Sequence, residues 1–148
     1  MHLNHYRLYT TIDFRDYEFY SKGPRGNIKK AVRFTKIRED EPAVYNLGFG
    51  DMDEETGNVC DLSVSNNQDT KTVLASVAFA ALQFSYHFNN PYIYAEGSTP
   101  ARTRLYQMGI SNMWESIREI FDIYGAREGY WERFRKGVNY SAFLVKRK

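Results

Sequence analysis

Between residues 70 and 88 the apolar positions change their period, and that change limits what the chain can build. Val73, Leu74, Val77, Ala78, Ala81, Leu82 and Phe88, with Ser85 completing the row, recur at three- and four-residue steps, the spacing that lines one side of an α-helix. Phe79 and Phe84 fall off that row, so the helix is expected to be covered on more than one side. Upstream the period is two: Ile28, Val32 and Phe34 stand at even spacing with Lys and Arg between them, the mark of a strand with one buried face. A chain that alternates first and turns helical later belongs to the α+β class.

Turn chemistry divides the two regions. Lys22-Gly23-Pro24-Arg25-Gly26, Glu39-Asp40-Glu41-Pro42 and Asp53 through Asn58 separate strands expected at 17–20, 28–34, 44–49 and 59–64, and such short connections make an antiparallel meander. Asn66, Asn67 and Asp69 are N-cap candidates for the 70–88 helix, and Asn89-Asn90-Pro91 stops it. Tyr92-Ile93-Tyr94-Ala95 reads as a strand, with 59–64 as its expected parallel neighbour. Gly97-Ser98-Thr99-Pro100 then opens a second helix with a hydroxyl cap and Pro at its first position. Gly109 should interrupt that helix, and Asn112 with Glu115 forms a capping-box pattern for a further turn toward Ile120. Strands at 121–124 and 140–145 close the chain. The expected architecture is an antiparallel meander extended by a strand–helix–strand–helix unit. It forms one curved sheet with two or three helices on one face, a single domain over residues 1–148.

Composition removes function classes more readily than it proposes them. At 148 residues, 43% hydrophobic and 26% charged, the chain is neither disordered nor membrane-embedded in type. No apolar run approaches a membrane span or a signal peptide, so a cytoplasmic protein with no membrane partner is expected. One cysteine, Cys60, excludes an internal disulfide framework and a zinc site of cysteines. His2, His5 and His87 are scattered, so no metal ligand cluster is expected. Asp51, Asp53, Glu54 and Glu55 miss the calcium-loop spacing. No Gly-x-Ser-x-Gly elbow or Gly-Lys-Ser/Thr phosphate loop occurs, and no cofactor is expected.

The charges are nevertheless segregated. Phe19 to Arg38 carries seven basic residues and no acid, while Glu39 to Asp61 carries eight acids and no base. A nucleic-acid surface on Lys22, Arg25, Lys29 and Lys30 is one reading. Neighbouring strands whose charges pair across the sheet is the other, and the near-cancellation of adjacent blocks favours it.

A binding pocket can be built at the helix starts. With 59–64 and 92–95 as parallel neighbours, both following helices would begin at one sheet edge. Asn66, Asn67, Lys71, Ser98, Thr99 and Arg102 would then surround an anion, aided by unpaired helix amides. Ordinary capping uses the same residue types. Arg102 and Arg104, two apart on a helix, leave on opposite flanks and cannot form one clamp. Downstream, Tyr130, Trp131 and Phe134 stand among Glu, Arg and Lys. They suit either a short helix packed over the sheet or a protein interface, with Tyr130 and Trp131 as the interface residues.

Tyr45–Asp51, Ser65–Ala75, Gly97–Tyr106 and the closing Phe143–Lys148 together resemble a family of small bacterial proteins of unknown function and about this length. The resemblance spans nearly the whole chain and implies a stand-alone protein without supplying an activity. The strand–turn–helix wording with Ala-Arg-x-x-Leu-Tyr is also similar to the coenzyme A-dependent N-acetyltransferases. Their pyrophosphate turn needs glycines, however, and Ser65–Thr70 has none. Three functional readings follow. The leading one is a non-catalytic binding or interaction module, compatible with a homodimer and with a small anionic ligand. The others are a nucleic-acid binder, and an enzyme on a phosphorylated or acylated small molecule with Lys71 and Arg102 holding the anion and Asp69 as base.

Overall fold

A computed structural model describes residues 3–60 and 67–148. Among these, the strands form one open mixed sheet, and the helices pack on it. The first strands are β1 (Tyr9–Thr10), β2 (Asp16–Gly23), β3 (Gly26–Arg38) and β4 (Val44–Met52). They run antiparallel in sequence order. β5 (Val59–Cys60) folds back on the end of β4, with Asp51 opposite Cys60. The chain then forms α1 (Thr70–His87), β6 (Tyr92–Ala95), α2 (Pro100–Asn112), α3 (Trp114–Ile117), β7 (Phe121–Arg127), β8 (Tyr130–Arg133) and β9 (Ala142–Arg147). The sheet order is β1-β2-β3-β4-β6-β9-β7-β8. The expected α+β class holds, with a sheet that does not close.

Burial alternates along the strands as a one-sided core requires. Tyr17, Phe19, Val32, Phe34, Tyr45, Leu47 and Phe49 are all buried on the face toward the helices. Their cross-strand neighbours, such as Val32 opposite both Tyr17 and Phe49, keep them in register. Phe84 of α1 stacks on Phe34 at 4.0 Å and meets Tyr45 at 5.0 Å. These rings are the heart of the core, each burying a large apolar area.

The helix expected at 70–88 forms over Thr70–His87 and is buried nearly all round, Val73 through Ala78 without a break. Its second cover is the N-terminal segment. His5 stacks on Phe79 at 3.9 Å, Phe14 stacks on His87 at 3.7 Å, and the Tyr6 amide donates to Ser76 Oγ at 2.8 Å. α2 begins as expected, with Pro100 at its start and Thr99 Oγ1 accepting from the Arg102 amide at 3.2 Å.

Four expectations are corrected. The parallel partner of 92–95 is β4, Val44–Leu47 against Tyr92–Ala95, not the 59–64 strand. Of that strand, Val59 and Cys60 pair with β4, and 61–64 lie outside the described residues. Gly109 does not interrupt α2 but lets it approach α1, since a Cβ there would lie 2.8 Å from Leu74 Cδ1. The Asn112/Glu115 capping box does not form, because the N-cap position of α3 falls on Met113, which makes no side-chain cap. Tyr130–Arg133 is a strand rather than a short helix, so Trp131 is exposed while Phe134 alone turns into the core.

Candidate functional site

Where β6 hands over to α2, the backbone is pulled tight against the first helical turn. The Gly97 amide donates to Thr103 Oγ1 at 3.0 Å, and that hydroxyl donates to the Thr99 carbonyl at 3.2 Å. A side chain at Gly97 would lie 2.3 Å from the Thr103 amide nitrogen, so only glycine permits this approach. The two arginines that follow part company, as helical geometry requires. Arg102 turns inward and is buried. It donates to the Phe49 carbonyl at 3.0 Å, with its guanidinium 5.7 Å from the centre of that ring. Lys30, also buried, lies 5.9 Å from the same ring and bonds the Asp51 carboxylate. Both cations thus brace β3, β4 and α2 from within.

Arg104 turns outward. It lines a cleft of about 620 Å³ bounded by Glu96–Pro100, the first turns of α2 and Asn139–Ser141, a size suited to a small molecule. Gln107 fixes the far wall. Its amide nitrogen donates to the Val138 carbonyl at 2.5 Å, and its amide oxygen accepts from the Tyr140 amide at 3.0 Å. Tyr140 in turn is buried flat over Gly125, where a Cβ would come within 2.4 Å of its ring. The Tyr140 hydroxyl donates to Glu132 at 2.8 Å, and the same carboxylate accepts from Arg127 at 3.0 Å and Arg135 at 2.9 Å. The Tyr140 hydrogen bond and the two guanidinium groups hold Glu132 down to about 2, far below its ordinary 4.5. A wall braced this way is preformed.

The residues expected around one anion are dispersed. Ser98 and Thr99 lie at the cleft, and Arg102 lies beneath it. Lys71 is exposed in a separate groove with Met108 and Asn112, so α1 begins beside the far end of α2 and the two N-termini do not converge. Asn67 is buried under the β2–β3 turn. Its amide nitrogen donates to Ser21 Oγ at 3.1 Å and the Gly26 carbonyl at 2.9 Å, and its oxygen accepts from the Arg25 amide at 2.7 Å. Asp69 stands at the start of α1 without capping it. Its carboxylate accepts from Tyr6 at 2.6 Å and Ser21 at 2.5 Å. Asn66 lies outside the described residues. Arg104, Gln107, Asn139 and Ser141 were not expected in the site. The outward flank of α2 was the one signal for Arg104, and nothing local announces the 139–141 segment.

The basic stretch is divided by the pleat of β3. Lys29 and Lys30 point to opposite faces, Lys29 pairing with Glu18 at 3.3 Å and Lys30 with Asp51. Arg33 pairs with Asp16 at 3.4 Å. Charge therefore pairs backward to β2 as well as forward to the acidic block, and of the nucleic-acid set Lys22 and Arg25 remain exposed at the turn. Tyr130 and Trp131 are 47% and 44% exposed on β8. Among the described residues no metal-ligand cluster occurs, and no helix is long and apolar enough to cross a membrane.

The chain belongs to a family of unknown function (DUF6934), which it matches over residues 2–148. No curated protein and no solved structure matches it.

Proposed function

We propose that this member of the family is a binding module that takes a small ligand by its anionic group, a carboxylate or phosphate, in the cleft over the first turn of α2. The observation that carries this reading is Arg104: an exposed guanidinium with no ion pair among the described residues, just past the first turn of α2 and on the wall of the 620 Å³ cleft. The helix start adds partial positive charge where the anion would lie. Ser98, Asn139 and Ser141 supply neutral hydrogen-bonding groups around it. The wall built on Gln107, Tyr140 and Glu132 is set before the ligand arrives, so little ordering is needed on binding. Glu96, at the rim, accepts from the Tyr94 hydroxyl at 2.5 Å and would disfavour ligands with a second negative group.

Thermal unfolding with added inorganic phosphate or acetate tests the assignment. The expected result is a rise in Tm with anion concentration that Arg104→Ala abolishes and Lys71→Ala retains. An unchanged rise in Arg104→Ala would place the anion elsewhere.

A further inference from the structure

The sheet ends on β8, and nothing among the described residues pairs with its outer edge. Glu128 and Gly129, with φ of 52° and 83°, make the two-residue turn that joins β7 to β8, the turn whose twist matches a hairpin. Arg127 opposes Tyr130 across that turn, and Gly125 opposes Glu132. These are the pairs that exchange hydrogen bonds, and the Phe134 amide keeps the same parity by donating to the Ile123 carbonyl at 2.9 Å. Trp131 and Arg133 therefore turn their backbone N–H and C=O groups away from β7. Their side chains share the sheet face that the helices leave open. Trp131 meets Tyr94 edge-on at 6.1 Å. Arg133 lies 5.5 Å from the centre of the Tyr124 ring and 3.6 Å from Asp122, with 73% of its side chain exposed.

We infer that β8 pairs antiparallel with β8 of a second copy of this chain, Trp131 opposite the partner's Arg133, joining two sheets edge to edge. One strand carries an aromatic face and a cation two residues apart, so a two-fold axis at Glu132 sets each against its complement twice. The four outward backbone groups of Trp131 and Arg133 meet their equivalents in the same register. A slip of one residue would set Trp131 opposite a Glu132 whose N–H and C=O already pair with β7 and whose side chain lies on the helix-covered face, so the pleat rejects it. The two Glu132 side chains that face each other each carry their own Arg127, Arg135 and Tyr140 donors, which offsets their repulsion. The aromatic face of Tyr92, Tyr94, Tyr124 and Trp131 would then run continuously across both copies. This pairing is independent of the ligand proposed for the cleft.

Sedimentation equilibrium of the full chain over micromolar to sub-millimolar concentrations reads the outcome. The expected mass is twice 17.4 kDa. Arg133→Pro removes an outward N–H and leaves the ladder to β7 intact, as proline permits on an edge. It should weaken association roughly ten-fold or more. Trp131→Ala touches no ladder group and should do the same; it decides the matter if circular dichroism shows Arg133→Pro unfolded. A wild-type chain of 17.4 kDa at every concentration overturns the pairing, as does a dimer that a folded variant leaves undiminished.

Discussion

Arg102 and Arg104 are separated by one residue and end in different surroundings. The first is buried against Phe49 and the second lies at the wall of a cleft. The 100° turn per residue dictates that separation, and it is legible in the sequence alone. Which arginine points outward is decided by where Phe49 lies, and that is set by the sheet. Glu132 is the opposite case: its partners are Arg127 of β7 and Arg135 and Tyr140 of the segment between β8 and β9, and no local pattern announces them. Its depressed pKa fixes the sign of a pH effect. Ionised Glu132 contributes stability that is complete above the ordinary 4.5, declines as pH falls below it, and is gone below about 2. Urea unfolding of Glu132→Gln beside the wild type should show the variant weaker at neutral pH and the gap closing across that interval. A gap that stays constant with pH would mean the carboxylate's charge contributes nothing.

At the scale of elements, the β2–β3 hairpin is tied to the start of α1 by Asn67. That side chain satisfies Arg25, Gly26 and Ser21 together, and its own backbone leaves no room for a Cβ at Gly23, which would lie 2.0 Å from the Asn67 carbonyl oxygen. Asn67→Ala should cost about 2–3 kcal/mol, from hydrogen bonds worth roughly 1 kcal/mol each with buried groups left unpaired. Hydrogen exchange should show the Arg25 amide losing protection first. Unchanged protection at Arg25 would make the clamp incidental. Read locally, Asn67 is a capping candidate; its real work lies over forty residues upstream, beyond any window of helical spacing. α1 itself was legible because its apolar row is long and regular. β8 was not: Trp131 and Phe134 mimic an i, i+3 helical pair, whereas Phe134 follows the strand's last residue and only then turns inward. The parallel partner of β6 was misassigned for a related reason, since nothing in Val44–Leu47 distinguishes a strand with antiparallel neighbours from one that also takes a parallel one.

Among the described residues the molecule is two antiparallel units joined along one parallel seam, Val44–Leu47 of β4 against Tyr92–Ala95 of β6. Ile93, fully buried at that seam, also lines a small apolar cavity with Leu47, Leu74 and Phe143. Ile93→Ala should destabilise by about 2–5 kcal/mol, the usual cost of truncating a core aliphatic. Because the seam couples the halves, hydrogen exchange should show amides of β3 and β9 losing protection together. Loss confined to β9 would mean the units open separately. The seam also has a meaning during synthesis. The first unit leaves the ribosome with the Val44–Leu47 edge of β4 bare, since β5 pairs with Asp51 and Met52. That edge stays open until α1 and β6 have been translated. For that interval the nascent chain carries an unpaired strand edge beside an incomplete core, the circumstance in which newly made chains join to one another. For this chain that exposure involves Val44–Leu47 and lasts for the elongation that separates β4 from β6.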